Sequence, residues 1–102
     1  MKEVQFDVMG VAYYLKEFRS SNVKKGDTLD AVPMPQNPYD PKAVRIEKGG
    51  VRIGYVPKHY THLFHDLIAN GGKPTVLVES VWKSGCCVTA LVLETGTCPK
   101  AT

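Results

Sequence analysis

The sequence predicts a mainly β domain, β-rich α+β in class: a small six-stranded, mostly antiparallel barrel with one amphipathic helix before the last hairpin. Three observations predict it. Apolar and polar residues alternate in several short runs, the period switches once to that of a helix, from Pro57 onward, and glycines stand where a tightly curved sheet must bend. At 102 residues the chain has room for a single core, burying roughly 60 to 65% of its unfolded surface. The barrel domain is expected over residues 1–95, with a C-terminal tail over 96–102.

Taken in order, Val4, Phe6 and Val8 alternate with Gln5 and Asp7, the pattern of a strand with one buried face. Gly10 interrupts it, as a bulge or a close backbone approach would, and the strand reading continues through Val11-Ala12-Tyr13-Tyr14, setting the two tyrosines on opposite faces. Residues 16–26 are polar apart from Phe18 and Val23, and Lys24-Lys25-Gly26-Asp27 has the chemistry of a turn or a short helix end, so this stretch reads as irregular. A second strand over 28–32 is stopped by Pro33 and Pro35. Residues 43–47 and 51–56 flank Lys48-Gly49-Gly50 as the arms of a hairpin, with Arg45, Glu47 and Arg52 outward and Val44, Ile46, Val51 and Ile53 inward. Gly54 marks a bend in the second arm.

From Pro57 the apolar residues Tyr60, Leu63, Phe64, Leu67 and Ile68 fall on one helical face, and Lys58, His59, His62, His65 and Asp66 fill the other. Asn70-Gly71-Gly72 supplies a left-handed stop. Residues 75–82 and 86–94 are β-rich arms around Lys83-Ser84-Gly85, the second apolar nearly throughout and therefore expected to be central.

Apolar residues at 43% and charged residues at 23% match ordinary globular usage, which excludes the disordered and fibrous classes. No apolar run is long enough to span a bilayer, and Met1-Lys2-Glu3 leads into an alternating strand rather than a signal-peptide core, so a soluble, intracellular, cytoplasmic protein without a membrane partner is expected. Three cysteines cannot all pair and Cys86 adjoins Cys87, which argues for reduced thiols; in a strand the two point to opposite faces, so they read as small core residues rather than a joint chelate. A net charge of +3 with a pI near 8.8 tolerates a polyanionic partner touched at few phosphates.

The most informative stretch is Asn37-Pro38-Tyr39-Asp40-Pro41-Lys42-Ala43-Val44. Its two prolines fix φ and bias Asn37 and Asp40 toward extended conformations, so the loop has little freedom to lose on binding. With Tyr13 and Lys58, Tyr39 and Asp40 form the strongest candidate site: exposed tyrosines are stacking platforms for unpaired bases, and an ammonium neutralises the adjoining phosphate. A carboxylate repels phosphates, so Asp40 fits beside a nucleic acid only where the ligand offers a hydroxyl donor, at a chain end. The plainer alternative makes Tyr39 a packed turn residue and Asp40 an Asx-type turn acceptor.

His59, His62 and Asp66 have the helical spacing of weak metal-ligand candidates, but no CxxC or HExxH pattern accompanies them, and a solvated polar face is the better reading; no metal site and no cofactor are expected. Paired carboxylates, a nucleophile with its base and a phosphate-cradling loop are all missing from the sequence pattern, so the protein is read as non-catalytic.

Gly10-Val11-Ala12-Tyr13-Tyr14, the loop 37–44, and Ile53-Gly54-Tyr55-Val56-Pro57 leading into a helix together resemble the HIRAN domain, in the expected order and over about its whole length. Such domains occur alone in bacteria and phages, and in eukaryotes at the N-terminus of helicase-like DNA translocases that remodel stalled forks. The resemblance implies an OB-like (or SH3-like) barrel that captures the 3′ end of single-stranded DNA, two tyrosines sandwiching the terminal base and an aspartate bonding the free 3′-hydroxyl. Those roles carry over to Tyr13, Tyr39 and Asp40, with Lys58 near the backbone; Tyr14, Asn37 and Tyr55 lie in the matching segments, and Trp82 aligns loosely with an aromatic that packs on the penultimate base. Ala12 and Tyr55 depart from the pattern, standing where an arginine and a histidine are found, which implies fewer phosphate contacts.

The function predicted is therefore a module for 3′-hydroxyl ends of single-stranded DNA in DNA repair or fork processing, with a helicase/ATPase or nuclease as partner protein. The alternative is a protein-interaction or accessory module that keeps the barrel without DNA binding. A metal-dependent nuclease built on the histidine face is a third reading.

Overall fold

The computed structural model describes residues 2–72 and 74–92; the expected tail over 96–102 and the end of the last expected strand lie outside them. Six strands are present among these residues: β1 (Lys2–Asp7), β2 (Thr28–Pro33), β3 (Val44–Lys48), β4 (Val51–Tyr55), β5 (Thr75–Trp82) and β6 (Gly85–Val92). Two helices interrupt them, α1 (Leu15–Ser20) after a 3-10 turn at Val11–Tyr14, and α2 (Thr61–Ala69) after a 3-10 turn at Lys58–Tyr60.

The strands form one antiparallel sheet in the order β1-β6-β5-β2-β3-β4, so the apolar β6 is flanked on both sides as its composition predicts. The sheet curls into a half-barrel, and its two edges are tied at one point where Met9, just past β1, exchanges both backbone hydrogen bonds with Tyr55 at the end of β4, each at 2.8 Å. The result is a β-rich, OB-like barrel. Gly54 permits that tie: a Cβ there would stand 2.5 Å from Val8 Cγ1 and 2.6 Å from the Met9 carbonyl oxygen.

Pairing of β3 with β4 slips between Ile46 and Glu47: Ile46 faces Gly54 but Glu47 faces Arg52, leaving Ile53 extra. This bulge buries Ile53 and Gly54 in succession and brings Arg52 and Tyr55 to the same side of the strand. Glu47, expected to point outward, is instead buried and ion-paired with Arg45. Val51, expected inward, is exposed, because it pairs with Lys48 at the hairpin turn, beyond the end of the core.

Leu29, Val44, Ile46, Ile53, Val88 and Cys86 fill the inside of the curl, and α2 closes it with Leu63, Phe64 and Leu67. Phe6 packs edge-on against Phe64 and stacks on Tyr60, at centroid distances of 6.0 and 5.6 Å. The helix stops as the sequence predicts: Gly71 takes a left-handed φ of 81°, and the amides of Gly72 and Gly71 bond the carbonyls of Leu67 and Ile68. Cys86 is buried as expected, whereas Cys87 is half-exposed on the outer face opposite Asp7.

One segment differs from its sequence reading. Residues 11–14 are a helical turn rather than a strand, and α1 occupies part of the stretch read as irregular. Gly10, at φ 75°, turns the chain off the sheet, and Val11, Leu15 and Phe18 then recur at helical spacing, with Val11 and Phe18 buried.

Candidate nucleic-acid interface

The loop between β2 and β3 is built by its own side chains. Asn37 Oδ1 accepts hydrogen bonds from the amides of Tyr39 (2.9 Å) and Asp40 (3.3 Å), and Asp40 Oδ1 accepts one from the amide of Lys42 (3.0 Å). Each is an Asx-type turn. The Met34 and Ala43 amides, bonded to the carbonyls of Ala43 and Asp40, close the base of the loop. Asp40 Oδ2 has no hydrogen-bond partner among the described residues, so half of this carboxylate holds the loop and half is available to a donor.

On the other side, the Gly10 turn presents Tyr13 almost fully to solvent, at 87% exposure, while Tyr14 lies half-buried against β4. Pro57 and the following 3-10 turn set Lys58 and His59 at the surface. Between these elements runs a groove of ≈ 780 Å³, bordered by Tyr13, Asp40, Lys58, His59, Asp7 and Tyr60 among others. This volume lies within the range of small-ligand clefts, roughly 300–1,000 Å³.

Tyr39 stands outside that groove. It is 96% exposed and borders a second one, of ≈ 590 Å³, with Met34, Pro38, Arg45 and Arg52. Tyr14, Asn37 and Tyr55 border both grooves and form the ridge between them. The single slot walled by Tyr13 and Tyr39, expected from the sequence, is thus two adjoining grooves, because the Asn37 turns hold Tyr39 on the far side of the ridge. Trp82 borders neither; it sits at the β5–β6 hairpin with its indole against Gly85, on a part of the sheet the grooves do not reach.

The ridge is an aromatic and cationic cluster. The Tyr14 and Tyr55 hydroxyls lie 3.1 Å apart, Arg52 Nη1 donates to both at 3.2 and 3.4 Å, and the guanidinium carbon sits 5.4 Å from the centre of the Tyr14 ring. The Tyr55 hydrogen bond, then that of Arg52, pulls the Tyr14 phenol below its ordinary value, while the bond to Tyr14 and burial hold the Tyr55 phenol above its own.

Arg45 and Arg52 are groove residues that the sequence reading left on a solvated strand face. Strict alternation puts Arg52 and Tyr55 on opposite faces; only the bulge reverses this, and Gly54 beside Ile53 is its one mark in the sequence. His59 and Asp7 also line the first groove. His59, His62 and Asp66 do not gather: among the described residues no three acidic, His or Cys side chains come close enough to share an ion.

A family model, the HIRAN domain, matches residues 1–89. The chain belongs to the HIRAN family. HIRAN domains in general bind nucleic acid, act in DNA repair, and are typically non-catalytic binding units. No curated protein matches the chain by sequence. Among solved structures, a protein from Lactobacillus plantarum is similar with a TM-score of 0.69 at 13% identity, covering 90% of this chain and 100% of that one. The HIRAN domain of human HLTF is similar with a TM-score of 0.66 at 18% identity, covering 91% of this chain and 78% of the other. At these identities the likeness concerns the fold. Among the described residues no helix is long and apolar enough to cross a membrane.

Proposed function

We propose that this HIRAN domain binds the 3′-hydroxyl end of single-stranded DNA in the first groove, as a non-catalytic module that presents DNA ends to a helicase/ATPase or nuclease partner. The observation that carries this reading is Asp40: a carboxylate in a groove wall with one oxygen committed to its loop and the other free. A free carboxylate oxygen only accepts hydrogen bonds and repels phosphate, so it suits a sugar hydroxyl. Lys58, in the same groove, suits the backbone that leads to that hydroxyl. Tyr13 offers a bare ring to the terminal base.

Fluorescence anisotropy with labelled oligonucleotides tests the proposal. A strand ending in a 3′-hydroxyl should bind at least tenfold more tightly than the same strand ending in a 3′-phosphate, which would set a dianion against Asp40. Asp40→Asn, which keeps an acceptor for the Lys42 amide, should narrow that preference. Equal binding of both ends by the unaltered protein would contradict the reading.

A further inference from the structure

We propose that the second groove is a phosphodiester subsite in which Arg52 binds the internucleotide phosphate next to the captured 3′ terminus. The inference rests on the end-binding reading above and adds to it a place for the strand to leave. The two grooves share the ridge of Tyr14, Asn37 and Tyr55, so a strand ending in the first crosses directly into the second.

The grooves differ in charge in the way such a path requires. The first, which receives the hydroxyl end, is lined by the carboxylates Asp7 and Asp40 against the single ammonium of Lys58. The second is bordered by Arg45 and Arg52 and by no carboxylate among the described residues. Of the two arginines, Arg45 is committed, paired with the buried Glu47. Glu47 lies opposite Arg52 in strand register, but among the described residues the ion pairs are Arg45–Glu47 and Lys48–Asp27, and Arg52 is in neither. Its hydrogen-bond acceptors are neutral phenols, which orient the guanidinium without cancelling its charge.

Only Nη1 of the Arg52 fork is engaged in these bonds. Nε is buried, out of a ligand's reach, whereas Nη2 makes no hydrogen bond among the described residues. Nη2 is therefore the donor open to an anionic oxygen, and the planar, charged guanidinium suits phosphate. The phenol bonds and the Tyr14 ring already hold the fork in place, so little side-chain freedom is lost when phosphate arrives.

Methylphosphonate scanning tests the assignment. Oligonucleotides with a 3′-hydroxyl carry one neutral methylphosphonate, either at the linkage nearest the 3′ end or at the fifth linkage from it. Each is titrated by anisotropy against the unaltered protein and Arg52→Gln, which keeps donors for the phenols but not the charge. Neutralising the nearest linkage should weaken binding to the unaltered protein roughly ten- to a hundredfold, the worth of a charge-assisted hydrogen bond. Arg52→Gln should weaken binding to the unmodified strand similarly, and combining the two should cost no more than either alone. The fifth linkage should be indifferent. Losses that multiply, or an Arg52→Gln protein that binds normally, would overturn the subsite; if the preference for a 3′-hydroxyl over a 3′-phosphate persisted alongside, the end-binding reading would stand without it. Loss of that preference with a non-additive Arg52 effect retained would keep a phosphate subsite but move it off the strand terminus, overturning the assignment as stated. Thermal unfolding of Arg52→Gln within a few degrees of the unaltered protein confirms that a charge, rather than the fold, was removed.

Discussion

At the scale of single residues, the loop side chains divide between holding the chain and meeting a ligand, and exposure separates the two. Tyr39, 96% exposed, contributes almost nothing to the core, so Tyr39→Ala should leave the unfolding free energy within about 0.5 kcal/mol. The same change should weaken single-stranded DNA binding by about 1–3 kcal/mol, the worth of one base–aromatic stack. Unchanged affinity in the anisotropy titration would favour the protein-interaction alternative. Asn37 is the reverse case: its oxygen receives two backbone amides, so its contribution to any binding passes through the position of Tyr39 and Asp40. The plain-turn reading of Asp40 and the ligand reading turn out to be compatible, since one oxygen serves the turn and the other is free. That division follows from loop geometry, which residue types alone do not specify.

At the scale of elements, the β4 bulge and the barrel tie depend on one another. Gly54 lets Val8 and Met9 approach, and the extra residue beside it turns Arg52 toward Tyr55. Gly54→Ala should therefore cost about 1–3 kcal/mol or more, because the added methyl meets a backbone carbonyl as well as the buried, β-branched Val8 side chain. Chemical denaturation reads this directly, and an unchanged midpoint would mean that β1 and β4 are not held together as described. The strands, the α2 face and its glycine stop were legible in the sequence because each rests on a local period or a single backbone requirement. The α1 region was not. Its apolar residues Val11, Leu15 and Phe18 are few, and the run Val11-Ala12-Tyr13-Tyr14 imitates a strand until Gly10 is known to turn the chain away. For the same reason the candidate site was legible as a set of residues but not as a shape: which tyrosine borders which groove, and the presence of Arg52, depend on the bulge and on the Asn37 turns.

At the scale of the whole molecule, titration limits the fold at both ends of the pH range. Burial, then the neighbouring Cys87 and Asp7, pushes the Cys86 thiol up from 9.0 to about 11. Its contribution to stability is fully present below the unfolded value, and is lost as pH rises from about 9 to about 11, where the unfolded chain ionises and the folded one does not. Unfolding midpoints should fall over that window, and Cys86→Ala should flatten the fall; a profile identical in both proteins would contradict it. At the acid end, the Lys48 ammonium 2.8 Å away holds the Asp27 carboxyl below its ordinary value, so this contribution is present above 3.8 and lost as pH falls through the folded value.

The claim on which the functional account depends is that Asp40 accepts a hydrogen bond from a terminal sugar hydroxyl. The most direct measurement is a thermodynamic cycle of two proteins, unaltered and Asp40→Ala, against two strands identical except that one ends in a 3′-hydroxyl and the other in a 2′,3′-dideoxy sugar. The account predicts a loss of roughly ten- to a hundredfold in affinity when the hydroxyl is removed from the strand bound by the unaltered protein, and no further loss from the dideoxy end once Asp40 is gone. Equal affinity of the unaltered protein for both strands would contradict it.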